Sequence, residues 1–261
     1  MSSSSSALPS LQGQTALVTG ASGGIGRAIA VALASVGCNV IVHGHRNADS
    51  LKQLADEIEA IGGQVLTYRA DLADLPALHS LAADAWQWQG KLDLLVNNAG
   101  LDVLTGEAAK WSFDEKMERL WEVDVRGCVA LSRLLGQRMK ERGQGSIINI
   151  GWDQAARGMA GDSGELFSTI KGAVMAFTRS LAQSLAPQVR VNCLALGWIR
   201  TSWGEGTSDY WQERAKKESL RERWGTPDDV AAAVRFLASP AADFITGQVI
   251  DLNGGFRFGS P

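Results

Sequence analysis

Thr15-Ala16-Leu17-Val18-Thr19-Gly20-Ala21-Ser22-Gly23-Gly24-Ile25-Gly26 decides the reading of this chain. An apolar run of strand length meets a cluster of glycines at once. A helical pattern follows, with Ile25, Ile29, Ala32, Leu33 and Val36 on one face, and Gly37 stops it. Asn39 to Val42 is a second β run. Strand, glycine turn, helix and strand in this order give a glycine cluster a specific meaning. Gly20, Ser22, Gly24, Ile25 and Gly26 let backbone amides approach a pyrophosphate at a helix N-terminus, where the dipole favours an anion. The competing reading is a plain glycine-rich turn.

The residues after the second strand bear on which dinucleotide is held. An NAD site usually has an acid there for the ribose hydroxyls. This chain has His43-Gly44-His45-Arg46-Asn47, with no acid before Asp49. Arg46 can pair a 2′-phosphate while His45 and Asn47 donate to it, so the expected cofactor is NADP(H). Downstream, Asp49–Ile61 reads as a helix, Gln64–Arg69 as a strand, Pro76–Gln89 as a helix and Leu92–Val96 as a strand. Asp71, next to Leu72, either accepts from an adenine amino group or caps the helix that begins near Asp74. Trp111–Met139 is a long helical region, Ser146–Ile150 a strand, and Ser163–Ala186 a long helix. Arg190–Ala195 and Gln248–Leu252 complete a set of seven strands. Thr226-Pro227-Asp228-Asp229 starts a helix between those two. The alternation predicts an α/β fold: one doubly wound, Rossmann-type parallel sheet in a single domain over residues 11–261, behind a disordered Ser-rich tail over residues 1–10.

Composition narrows the function. The chain has 261 residues, 45% hydrophobic and 20% charged, with a net charge of −3, so neither nucleic acid nor an anionic membrane is expected as a partner. The N-terminal serines are not a secretory signal, and no apolar run is long enough for a bilayer. Cys38, Cys128 and Cys193 are far apart and odd in number, which predicts free buried thiols in a cytoplasmic protein. The three histidines, His43, His45 and His79, form no metal motif. Nine tryptophans against two tyrosines are unusual. Trp152, Trp198, Trp203 and Trp211 suggest a flat or apolar small-molecule substrate.

Several motifs in order resemble the classical short-chain dehydrogenase/reductases, most of all the branch around the β-ketoacyl-carrier-protein reductases. They are Thr19-Gly20-x-x-x-Gly24-Ile25-Gly26, Asn97-Asn98-Ala99-Gly100, Ser146-Ile-Ile-Asn149-Ile, Lys171 and Arg190-Val-Asn192. Gly197-Trp-Ile199-Arg-Thr201, Arg223-Trp-Gly-Thr-Pro227 and Ile245-Thr-Gly-Gln-x-x-x-Leu-Asn-Gly-Gly255 follow. The resemblance implies that Asn98, Ala99 and Gly100 shape the adenosine side of the cofactor. It implies that Gly197, Ile199 and Thr201 lie against the nicotinamide and phosphates, that Lys171 holds the ribose, and that Ser202–Leu220 is a substrate lid. It also implies a homotetramer or homodimer built on the two long helices.

The reaction centre departs from that family. Its chemistry uses Asn, Ser, Tyr and Lys, with the last two spaced Tyr-x-x-x-Lys, and only Lys171 is unchanged here. Phe167 stands at the Tyr position and has no proton to give. The Ser position falls on Gly151-Trp152, and the Asn position on Asp124. Asp153 is the best candidate for a substitute acid if it lies in an apolar pocket walled by Trp152 and Phe167, the competing reading being a solvated or capping loop acid, with Tyr210 a weaker candidate. An Asp124–Lys171 ion pair would be structural as easily as catalytic. Three readings stay open. One is an NADP(H)-dependent reductase with an altered proton path, acting on a C=N or a conjugated C=C bond. The second is an inactive cofactor-binding scaffold or sensor. The third is a lyase or isomerase using Asp153.

Overall fold

The structure is a computed structural model that describes residues 10–257, with Trp203 lacking a described side chain. The predicted tail, residues 1–9 of it, lies outside the described residues. In chain order, β1 (Thr15–Val18), α1 (Gly24–Ala34), β2 (Asn39–Gly44), α2 (Ala48–Ala60), β3 (Val65–Arg69), α3 (Leu75–Gln87) and β4 (Leu94–Asn97) form the first half. The second half begins with α4 (Phe113–Leu120), a π turn (Trp121–Gly127) and α5 (Cys128–Arg142). It continues through β5 (Gly145–Trp152), α6 (Asp162–Leu185), β6 (Val189–Leu196), α7 (Ser202–Gly206), α8 (Asp209–Glu218), α9 (Pro227–Ala238) and β7 (Val249–Leu252).

The seven strands form one sheet in the order β3-β2-β1-β4-β5-β6-β7, parallel throughout. Strands covered on both faces must be apolar on both sides. Alternate residues of β1 accordingly enter opposite cores. Ala16 and Val18 pack with α1, α2 and α9, whereas Leu17 packs with α3, α5 and α6. The chain reverses direction of travel between β1 and β4. Such a switch opens a crevice beyond the strand ends, and the glycine loop occupies it.

Two local predictions hold. Thr226 caps α9 in a reciprocal capping box with Asp229 behind Pro227, and the three cysteines are free and buried. The region predicted as one long helix runs from Phe113 to Arg142, but with a π turn in its middle. One prediction needs correction. The strand expected to end at Ile150 continues to Trp152, because β6 goes on pairing with it through Gly151–Ala195 and Trp152–Leu196. No helix among the described residues is long and apolar enough to cross a membrane.

Candidate active site

The glycine loop is held from behind. Thr19 Oγ1 donates to Val96 O (3.3 Å) and accepts from the N–H groups of Asn98 (3.1 Å) and Ala99 (3.0 Å), tying the end of β1 to the end of β4. The Asn98 amide donates to Thr19 O (3.0 Å) and Gly20 O (3.1 Å). Asn98 therefore fixes the glycine loop against the end of β4. A Cβ on Gly26 would lie 2.2 Å from Gly20 O, so this close approach admits only glycine. His43 is 2% exposed and supports the same loop. Its Nε2–H donates to Ala70 O (3.0 Å) and its Nδ1 accepts from Gly20 N–H (3.4 Å). Burial, only partly opposed by the Ala70 hydrogen bond, lowers its pKa from 6.5 to about 4, so the ring is neutral.

The front of the loop fits a dinucleotide pyrophosphate. No side chain caps the N-terminus of α1, and a Cβ on Gly23 would meet nothing within 4 Å. Gly20 (φ +66°) and Gly24 (φ +51°) are in the left-handed region. The missing side chain of Gly24 faces Thr201 across 3.6 Å, which brings the Gly197–Thr201 segment to the same crevice.

At the end of β2, His45 and Arg46 are exposed. His45 Nε2 is 3.8 Å from Asp71 Oδ2. Asn47 Oδ1 caps α2 by accepting from Ser50 N–H (3.0 Å). The capping role weighed for Asp71 belongs to Asp74, which accepts from Ala77 N–H, while Asp71 Oδ1 accepts from Ala73 N–H (2.9 Å). Leu72 is buried in the core and packs on Gly127. A further cation was missed in the sequence. Arg69 pairs in register with Gly44, and its Nε donates to His45 O (3.3 Å), beside Arg46. Only strand register could have revealed it.

A cavity of about 560 Å³ continues from this crevice. Trp152, Phe167, Trp198, Trp211, Trp224, Met159, Leu104, Ile25 and Ile199 line it, with Ser163, Thr201, Thr207 and Lys171 as the polar side chains. Trp224, Met159 and Ser163 were not singled out in the sequence as pocket residues. Trp152 and Phe167 meet edge to face at 6.2 Å, and Trp198 and Trp211 are 5.4 Å apart. The structure separates the two candidates for the Ser position. The backbone of Gly151 lines the cavity, but a Cβ there would be 2.8 Å from Cys193 Sγ and 3.0 Å from Met175 Cγ, so a side chain at that position would start into packed core. Trp152 is the side chain that reaches the cavity.

Lys171 Nζ donates to Asp124 Oδ2 (2.9 Å), and Asp124 Oδ1 accepts from Leu101 N–H (2.9 Å). Asp124 is 4% exposed and sits in the π turn of the long helix. Gly100 passes directly over it, for a Cβ there would be 2.9 Å from Asp124 Oδ2. Burial alone would lower the Lys171 pKa, but the charge and hydrogen bond of Asp124 outweigh it and raise it above the ordinary lysine value. The thiols of Cys128 and Cys193, close to Lys171, are pushed up to about 12 by burial. Lys171 and both thiols thus keep their protons at neutral pH.

Asp153 corrects an expectation. It is not among the cavity-lining side chains, because the chain turns into a short 3-10 helix right after Trp152. Asp153 Oδ2 accepts from Arg157 Nη1 (2.8 Å) and Asn253 Nδ2 (2.8 Å), on the side of the C-terminal segment. Burial raises its pKa, and those two donors oppose the shift. Arg157 also binds Asp251 Oδ2 (2.7 Å). Tyr210 is 64% exposed, stacks edge-on against Trp211 and does not line the cavity. In the lid, Glu218 joins three elements: its Oε2 accepts from Trp198 Nε1 (2.7 Å) and Gln154 Nε2 (3.5 Å), and its Oε1 accepts from Arg214 Nε (2.6 Å).

Comparison with known proteins agrees with this geometry. Residues 20–257 match the family model described as enoyl-(acyl carrier protein) reductase. The 7alpha-hydroxysteroid dehydrogenase of Escherichia coli (strain K12) is 34% identical over 94% of this chain and 94% of its own. The 3-oxoacyl-[acyl-carrier-protein] reductase of a Synechocystis strain is 32% identical over 95% of this chain and 98% of its own. A solved 7 alpha-hydroxysteroid dehydrogenase complexed with NADH and 7-oxo glycochenodeoxycholic acid superposes with a TM-score of 0.86, at 32% identity over 95% of both chains. A short chain dehydrogenase from Burkholderia cenocepacia J2315 in complex with NADP gives 0.83, at 32% identity over 94% of this chain and 98% of that one. With the sheet order, the glycine loop and these matches in agreement, the chain belongs to the classical short-chain dehydrogenase/reductase family of oxidoreductases.

Proposed function

We propose that the protein is an NADP(H)-dependent reductase whose substrate needs no proton from an enzyme side chain. Arg46 and Arg69 at the ends of β2 and β3 support NADP(H) over NAD(H), since they gather cations where a 2′-phosphate would lie, with the His45 ring beside them as a further donor. The loop amides from Gly20 to Gly26 hold the pyrophosphate, and Ile199 and Thr201 flank the nicotinamide end. Lys171 orients the ribose. A bound NADP(H) supplies a hydride.

The observation that carries the reading is the chemistry of the cavity wall. Among its described lining residues, Lys171 alone is ionisable, and Asp124 holds that ammonium. A ketone accepts hydride efficiently only when its oxygen is protonated or strongly polarised. A C=N bond that is already cationic, or a C=C bond conjugated to a carbonyl, does not depend on a Tyr at position 167.

The test is turnover of NADPH and NADH with a cyclic iminium, an enone and a simple ketone. The reading expects kcat/KM for the first or second class to exceed the ketone by about a hundredfold, some 3 kcal/mol of barrier. Equal turnover of the ketone would show that the pocket contains an acid after all. Tight NADPH binding with no turnover of any class would make the chain a cofactor-binding protein instead.

A further inference from the structure

Charge at the cavity floor distinguishes the two substrate classes. In the family pattern the residue at position 124 is a neutral Asn, which leaves the lysine cation uncompensated. Here Asp124 lies 2.9 Å from Lys171 Nζ with both side chains largely buried, at 2% and 15% exposure. The floor therefore carries no net charge. Two arginines of the lid and of the turn after Trp152 are paired as well. Arg214 is on Glu218, and Arg157 is shared by Asp153 and Asp251.

The walls point the same way. Trp152, Phe167, Trp198, Trp211 and Trp224 surround the cavity, and an aromatic face attracts a cation more strongly the less water reaches it. The lid already shows this preference: the Arg214 guanidinium lies 5.7 Å from the Trp198 ring centre and 5.1 Å from that of Trp211. Removing the lysine's repulsion and lining the space with aromatic rings both favour positive charge. Neither change favours a neutral enone over other apolar molecules.

We infer that the cavity is a site for planar organic cations, so that the substrate of the proposed reductase is an iminium ion. This rests on the reductase reading for the reaction, but not for the binding. The step balances without a donor. The iminium carbon gains a hydride, the C=N π pair becomes the amine lone pair, NADPH is oxidised to NADP⁺, and no proton is taken up.

The experiment is equilibrium binding to the full-length protein, with and without saturating NADPH. It uses phenyltrimethylammonium, which cannot be reduced, and its neutral isostere tert-butylbenzene. The cation is expected to bind at least about tenfold more tightly than the isostere. Asp124→Asn restores the lysine's charge and should weaken the cation about tenfold while leaving the isostere unchanged. Should that variant fail to fold, Trp152→Leu keeps the apolar volume, removes one aromatic face, and should lower the preference for the cation. Equal or tighter binding of tert-butylbenzene, or binding of neither compound, overturns the inference. The two proposals fail separately. Cation binding without turnover of any substrate class defeats the reductase reading and leaves the cation site standing, whereas iminium turnover without a charge preference defeats the cation site alone.

Discussion

Acid should loosen this protein through one histidine. His43 is 2% exposed behind the glycine loop, and its pKa is lowered from 6.5 to about 4. A base with a lowered pKa contributes stability that is fully present above about pH 6.5 and is lost as pH falls towards 4. The whole shift is worth about 3.5 kcal/mol, at about 1.4 kcal/mol per unit, and roughly 2.5 kcal/mol of it should be gone at about pH 4.5. Protonating Nδ1 also removes the acceptor for Gly20 N–H, so the loss begins in the glycine loop. His43→Gln isolates the effect, since an amide can accept from Gly20 and donate to Ala70 without titrating. The assay is urea unfolding followed by tryptophan fluorescence, on both proteins, at about pH 7 and about pH 4.5. Wild type should lose about 2.5 kcal/mol more than the variant over that interval. Parallel losses would refute the argument, because the carboxylates common to both would then explain all of the acid sensitivity.

Four further outcomes are expected. Lys171→Met leaves Asp124 buried without its cation and should cost about 3–5 kcal/mol in urea unfolding, while adding Asp124→Asn should recover most of it. Gly151→Ser should destabilise by about 1–3 kcal/mol and add no ketone turnover, since the new side chain meets Cys193 and Met175 rather than the cavity. Arg69→Ala should weaken NADPH about tenfold in a fluorescence titration and leave NADH unchanged; an equal effect on both would remove Arg69 from the 2′-phosphate site. Phe167→Tyr alone should not produce strong reduction of simple ketones, because Trp152 stays at the Ser position, and robust turnover by that variant would show the pocket to be misread.

The sheet was legible because each strand is a short apolar run bounded by a glycine turn or a helix cap, and both signals are local. The glycine cradle was legible for the same reason. Long-range register was not. Arg69 reaches the loop of His45 and Arg46 only through its pairing with Gly44, and β5 reaches Trp152 only because β6 pairs that far. Asp153 shows a different limit. Sequence proximity to Trp152 placed it in the cavity, but a turn at that point sends neighbouring side chains in different directions, and Arg157 and Asn253 draw the carboxylate away. The Asp124–Lys171 pair was anticipated from position within the family pattern, whereas the π turn that carries Asp124 leaves no composition signal in Trp-Glu-Val-Asp-Val-Arg-Gly.

That π turn has a consequence for how the site can be lost or gained. A π turn holds one residue more than the α-helical turn it replaces, so it behaves as a tolerated insertion inside a helix. Deleting a single codon between Trp121 and Gly127 would let an ordinary helix run through with both flanks in their present packing, while the side chains within the turn would move to new positions. The sheet and the glycine loop would be untouched. Asp124 would leave Lys171, and the charge of the cavity floor would change in one genetic step. Within a lineage carrying this fold, length variation at this one helix is therefore a more economical marker of altered substrate charge than substitution along the cavity wall.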